Sequence, residues 1–329
     1  MRSGNGRRGR RRHRYGFDAW KGDTMSQGQG QDWNAAPPPQ PYPYPYPQQP
    51  GFDPADPLVS NDFNGWWHRS FRLVKAAWRP MAVIQLIVAV PTLVLLVPAM
   101  LAFQDEQRVA QESVQASIDA GTQPDFSLFF AGLTALVPAA LVAGLFSMLG
   151  QLACQQVVVF TATGRTGSLV GPALLAAAKR LPALIGWYLL AVPVLTVALV
   201  LCFFPVLYVG AALTVLPVVV LLERGNGIGR CFKLFHANVG VSVSRIATIM
   251  GLSIGAGLLL TLLNTLVDVT IGGSYTTPNS TATVINTVVQ AGYYVVSYLV
   301  LAALLVTTYA DMRARREPFS TASLQPGPA

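Results

Sequence analysis

The chain of 329 residues is 52% hydrophobic and only 12% charged, with a formal net charge of +8. A water-soluble domain carries about 25% charged residues, so the composition excludes an ordinary soluble fold. The positive balance does not mark a nucleic-acid-binding face either. Residues 1–24 hold Arg2, Arg7, Arg8, Arg10, Arg11, Arg12, Arg14 and Lys21 against Asp18 and Asp23, which places +6 of the +8 in one N-terminal run.

No apolar stretch follows that run, so it is not a secretory signal. A run of this kind can bind nucleic acid or anionic lipid, but it reads first as a solvated arm, or as sequence upstream of a start at Met25. Residues 26–64 are rich in Gln, Gly and Pro and contain Pro41-Tyr42-Pro43-Tyr44-Pro45-Tyr46-Pro47. Such a composition favours extended polyproline II and cannot bury a core. Residues 1–64 are therefore expected to form a disordered cytoplasmic tail. Its Pro/Tyr-rich part reads as a flexible leader, a docking ligand for a proline-binding protein partner, or a self-associating tail.

From residue 65 the pattern changes. Stretches of about 20 apolar residues match the roughly 30 Å hydrocarbon core of a bilayer. Six are expected as spans, at about 81–103, 129–150, 182–201, 206–222, 246–267 and 284–308. The expected fold is all-α: a polytopic transmembrane bundle over residues 65–318, followed by a short cytoplasmic tail at 319–329. Orientation follows from the flanking basic residues. Arg69, Arg72, Lys75, Arg79, Arg165, Lys179, Arg180, Arg224, Arg230, Lys233, Arg245, Arg313, Arg315 and Arg316 fall on one side, against Arg108 alone on the other. Both termini are thus expected in the cytoplasm, with the 104–126 loop outside.

The plan repeats. Pro80 to Pro91 and Pro182 to Pro193 both place prolines eleven residues apart, end in Ala-Val-Pro, and follow a basic segment. A third segment, from Cys231, leads into the span from Ile246. The unit reads as a basic interfacial helix followed by a helical hairpin. In the first basic segment, Trp67, Phe71, Val74 and Trp78 share one helix face. In the third, Ile228, Cys231, Phe232 and Phe235 do so. Trp and Arg together suit the headgroup level. The candidates for lipid-headgroup contact are Arg69, Arg72, Lys75, Arg79, Lys179, Arg180, Arg230, Lys233, Arg313, Arg315 and Arg316. Ordinary anchoring explains the same residues.

Inside the spans, Gln85, Gln151, Asn264 and Gln290 are placed to bond between helices. No ionisable residue sits at mid-membrane, where ion and proton pathways usually need one. Gly251-Leu-Ser-Ile-Gly255 is expected to pack closely against a neighbour. Gly225-Asn-Gly-Ile-Gly229 breaks the chain after a span, with Asn226 as candidate cap. No catalytic constellation is recognisable, and Cys154, Cys202 and Cys231 are too scattered for a disulfide framework or metal site. No cofactor is expected.

Two short motifs carry a resemblance. Tyr309-Ala-Asp311-Met-Arg313-Ala-Arg315-Arg316-Glu317-Pro-Phe319 follows the last span, and Leu222-Glu223-Arg224-Gly225 leads into Arg230-Cys-Phe-Lys-Leu. Together they resemble bacterial six-span proteins named for the membrane domain of glycerophosphoryl diester phosphodiesterases, over about residues 65–320. The resemblance implies the membrane module alone, since the catalytic barrel of the phosphodiesterase has no counterpart here. The expected role is that of a non-enzymatic multi-pass module of the bacterial plasma membrane. It would organise anionic lipid or protein partners at the cytoplasmic face, with no nucleic acid bound. The alternative is a transporter or lipid translocator built on three hairpins.

Overall fold

A computed structural model describes residues 53–123, 127–271 and 279–324, except the side chains of 128 and 129. All of them fall in one compact unit, Gln49–Ala329. The Arg-rich run and the Pro/Tyr-rich tail up to residue 52 lie outside the described residues, as does the end of the tail at 325–329.

Among the described residues every regular element is helical. The elements are α1 (Phe63–Asp119), α2 (Leu128–Ala131), α3 (Leu133–Ala162), α4 (Val170–Leu201), α5 (Phe203–Leu213), α6 (Leu216–Leu222), α7 (Ile228–Phe235), α8 (Val239–Ile271) and α9 (Ser280–Ala314), with a 3-10 turn at Thr321–Leu324. Six helical segments are long and apolar enough to cross a membrane: α1, α3, α4, Phe203–Leu222, α8 and α9. The protein is an all-helical, multi-pass bundle.

α1 starts at an Asp62 N-cap, whose side chain accepts from the Gly65 N–H. It then runs 57 residues without interruption, about 86 Å at 1.5 Å per residue. The first basic segment and first span are therefore one helix, and the second segment is likewise the start of α4. Only the third, α7, is a separate helix. The buried stripe of α1 is Trp66, Ser70, Leu73, Ala77, Met81 and Ile84, one residue out of register with the expected aromatic face. Trp67 and Phe71 flank that stripe with rings 4.7 Å apart, while Trp78 is half exposed.

The 104–126 segment is not a simple loop either. α1 continues to Asp119 through a polar stretch in which Arg108 faces Asp105 and Glu112 one turn to either side. Gln, Glu, Arg and Ala are good helix formers, so the helix outlasts its apolar pattern.

The core is concentrated near the ends of the spans that carry the basic flanks, called here the basic end. Leu152 to Val159 of α3, Leu216 to Leu221 of α6 and Ala302 to Met312 of α9 are almost continuously buried, while Ala282 is the sole buried residue in the first half of α9. Half of the apolar window of Phe203–Leu222 is buried, against 11–22% in the other five. The burial of the fourth apolar segment lies in its second half, α6, while α5 stays largely exposed or half-buried, and the segment is interrupted at Thr214–Val215. Pro217 sits at the start of α6, where its missing N–H costs no helical bond.

Side chains left exposed on the outer surface, such as Leu189, Val197, Leu258 and Leu262, suit contact with hydrocarbon. Gly251 and Gly255 face outward too, with nothing near the position of an added Cβ. Among the described residues no neighbour packs closely on the GxxxG.

Candidate functional site

The basic end holds a network built by the ends of α6, α7 and α9. Glu223 follows α6 directly, and Gly225 then takes a positive φ of 74°, a conformation open to glycine at little cost. The chain turns there and enters α7. The helix begins at Gly227, which lacks a capping side chain. A Cβ on Gly227 would sit 2.1 Å from Trp187 of α4, so only glycine lets the turn approach that ring. Asn226 is not the cap: its Nδ2 donates to Glu223 Oε2 at 3.1 Å.

Glu223 is the hub. Its carboxylate accepts from Arg230 Nε at 2.8 and 3.1 Å and from the Tyr309 hydroxyl at 2.7 Å. Arg230 Nη2 donates to Glu317 Oε1 at 2.8 Å. Glu317 also accepts from Arg313 Nε, and Arg313 Nη1 donates to the Tyr309 hydroxyl at 3.0 Å. The Arg313 guanidinium lies 4.6 Å over the Phe319 ring, within cation–π range. The two motifs at residues 222–234 and 309–319 are therefore in direct contact through side chains. Burial by itself would raise the Glu317 carboxyl, but hydrogen bonds from Arg313 and Arg230 outweigh it and hold the group below its usual value. Burial would likewise lower Arg230, but Glu223 and Glu317 reverse the direction.

Beside this network opens a polar pocket of about 620 Å³ lined by Leu222, Glu223, Asn226, Arg230, Lys233, Arg313, Arg316 and Glu317. Both carboxylates already accept from arginine, so the unused capacity is mainly that of donors. The Lys233 ammonium, Arg230 Nη1 and Arg313 Nη2 have no partner among the described residues. Among the described residues Arg316 reaches only the Lys233 carbonyl, at 3.4 Å. Such an arrangement can hold an anion.

A second cluster lies deeper. Arg245 of α8 and Asp311 of α9 are 1% and 0% exposed and form an ion pair at 2.6 Å. The Arg245 guanidinium also lies 5.8 Å from the Trp66 ring centre. Residues 53–62 form a strap across this pair. Ser60 N–H donates to Asp311 Oδ1 at 2.5 Å, and Arg315 donates to the Asn61 carbonyl at 3.0 Å. Asp56 Oδ1 accepts from Leu58 N–H, Val59 N–H and the Thr321 hydroxyl, and its Oδ2 accepts from Thr321 N–H. Leu58 and Val59 are buried. Among the described residues the folded unit thus begins before residue 65 and takes in Thr321, beyond residue 319.

The candidates for headgroup contact separate into groups. Arg230, Lys233, Arg313 and Arg316 line the pocket. Arg69 and Arg315 are committed to the strap, Arg69 through the carbonyls of Pro54 and Val59. Arg72, Lys75, Arg79 and Lys179 are exposed on α1 and α4, and Arg180 is half-buried. Counting charges by flank missed Glu223, Tyr309 and Glu317, whose signal was an acid or tyrosine at a span end facing basic residues of another segment. It also missed the burial of Arg245 and Asp311.

α5 meets α7 as well. Tyr208 is fifteen residues before Glu223, about 22 Å along a straight helix, yet its hydroxyl lies 3.0 Å from His236 Nε2. Its ring centre lies 5.8 Å from those of Phe232 and Phe235. α5 and α7 therefore pack side by side. Elsewhere Gln85 is bonded to Cys154 Sγ at 3.2 Å, and the Ser70 and Thr307 hydroxyls meet at 2.7 Å.

Fold and site together define a multi-pass helical membrane protein with a polar pocket where its spans end. No protein-family model matches the chain, and no curated protein or solved structure matches it.

Proposed function

We propose that this chain is a non-enzymatic module of the bacterial plasma membrane, with both termini cytoplasmic, that organises anionic lipid through its basic end. One observation carries this reading: four basic side chains line an open pocket at the span ends, and the two carboxylates beside them each accept from arginine. The distribution of basic flanks supports the orientation. Contact between the 222–234 and 309–319 motifs supports kinship with six-span proteins named for the phosphodiesterase membrane domain, because the residues that carry the resemblance also build one network.

The reading is tested by the lipids retained when the full chain is purified from bacterial membranes. They should be enriched in anionic headgroups over the bulk membrane; a bulk composition overturns the reading. A second reading, lipid translocation, draws on the interruption of the fourth apolar segment at Thr214–Val215, since broken helices line sites in transporters. Its mark is lipid flipping between leaflets by the purified chain in vesicles, whereas retention without flipping supports the organising role.

A further inference from the structure

The pocket permits a sharper statement about its ligand, one that rests on the lipid-organising reading. Its charged lining consists of Arg230, Lys233, Arg313 and Arg316 against Glu223 and Glu317. Four positive charges less two negative leave a surplus of two. A phosphodiester, the linkage in most anionic headgroups, brings one negative charge and two unesterified oxygens. A phosphate monoester brings about −1.5 to −2 at pH 7 and three strong acceptor oxygens.

The donors have a matching arrangement. Arg230 and Arg313 are held in place by Glu223, Glu317 and Tyr309. Each keeps a terminal nitrogen without a partner among the described residues. Lys233 comes from α7 and Arg316 from just beyond α9, so donors approach from two elements. The fixed arginines cost little further ordering on binding, and Lys233 and Arg316 supply the excess charge. We infer that this pocket is a site for a terminal phosphate monoester, carried on a lipid headgroup or on a small soluble molecule.

The test uses the purified full chain in non-ionic detergent. Its affinity is measured for short-chain phosphatidic acid (a monoester), phosphatidylglycerol (a diester) and phosphatidylcholine, and for glycerol 3-phosphate. The monoester lipid should bind at least tenfold more tightly than the diester at pH 7.5. The variant K233Q/R316Q should abolish that preference. Both side chains are exposed, so an unchanged thermal transition will show that the variant is folded. Equal binding of the two anionic lipids, both above phosphatidylcholine, overturns the monoester site while leaving the lipid-organising reading intact. So does a preference that survives K233Q/R316Q. Equal binding of all three lipids overturns the parent reading. Glycerol 3-phosphate binding within tenfold of the monoester lipid, and lost in K233Q/R316Q, supports a soluble ligand. Its failure to bind beside a strong lipid preference supports a headgroup.

Discussion

Arg245 and Asp311 show how a residue's position changes its meaning. Arg245 enters the charge count as one more basic flank, yet it is almost wholly buried against an equally buried carboxylate. Removing one member of such a pair leaves an uncompensated charge and costs about 3–5 kcal/mol, whereas replacing both with apolar groups is often neutral. Asp311→Ala should therefore lower the thermal transition of the purified protein markedly. The double variant Arg245→Met/Asp311→Leu should recover most of the loss. A single variant as stable as the parent chain would show that the pair is not holding α8 to α9. The same reasoning separates the pocket cations from the strap cations. Arg69 and Arg315 donate to backbone carbonyls of residues 54–61, so their loss should be felt in stability before it is felt in ligand binding.

At the scale of elements, the turn between α6 and α7 controls the pocket, because Arg230 and Lys233 ride on α7. Gly227 packs its backbone directly on the Trp187 ring. Gly227→Ala should displace that ring and destabilise the protein by about 1–3 kcal/mol, the usual cost of overpacking. Trp187→Leu in the same chain should restore part of the loss by making room; an Ala variant with an unchanged thermal transition would show that the contact is not a tight one. The apolar spans and the three basic segments were legible in the sequence, since both are statements about composition and period. The continuity of the first two segments with α1 and α4 was not, because a change from polar to apolar residues does not by itself end a helix. The break at Thr214–Val215 leaves no mark in the hydropathy, because both halves of the fourth segment are apolar; its one sequence signal is Pro217, which breaks a helix that precedes it and is tolerated at a helix start.

At the scale of the whole molecule, the distribution of basic residues predicts which end faces the cytoplasm. Cys231 is a poor reporter of that orientation. It is buried, and burial, with the nearby Glu223 carboxylate adding to it, pushes its thiol up to about 12. Silence toward a thiol reagent would reflect that environment on either side of the membrane. Exposed positions serve better, such as Gln111 on the extension of α1 and Ser323 after α9. In intact cells, with Cys202 replaced by Ser, Gln111→Cys should react with a membrane-impermeant reagent and Ser323→Cys should not. The reverse pattern would invert the orientation.

By itself the sequence determined that this is a six-segment helical membrane protein, because a bilayer requires long apolar helices whose backbone groups are satisfied internally. It also marked the basic flanks, which follow from charge counting alone. Only the tertiary structure decided that Glu223, 86 positions away from Tyr309, accepts its hydroxyl, and that residues 53–62 close over the end of α9. It alone divided the basic flanks into strap, buried pair, pocket and the exposed faces of α1 and α4. Those assignments depend on which side chains meet across the bundle, and neither hydropathy nor spacing encodes such long-range partners.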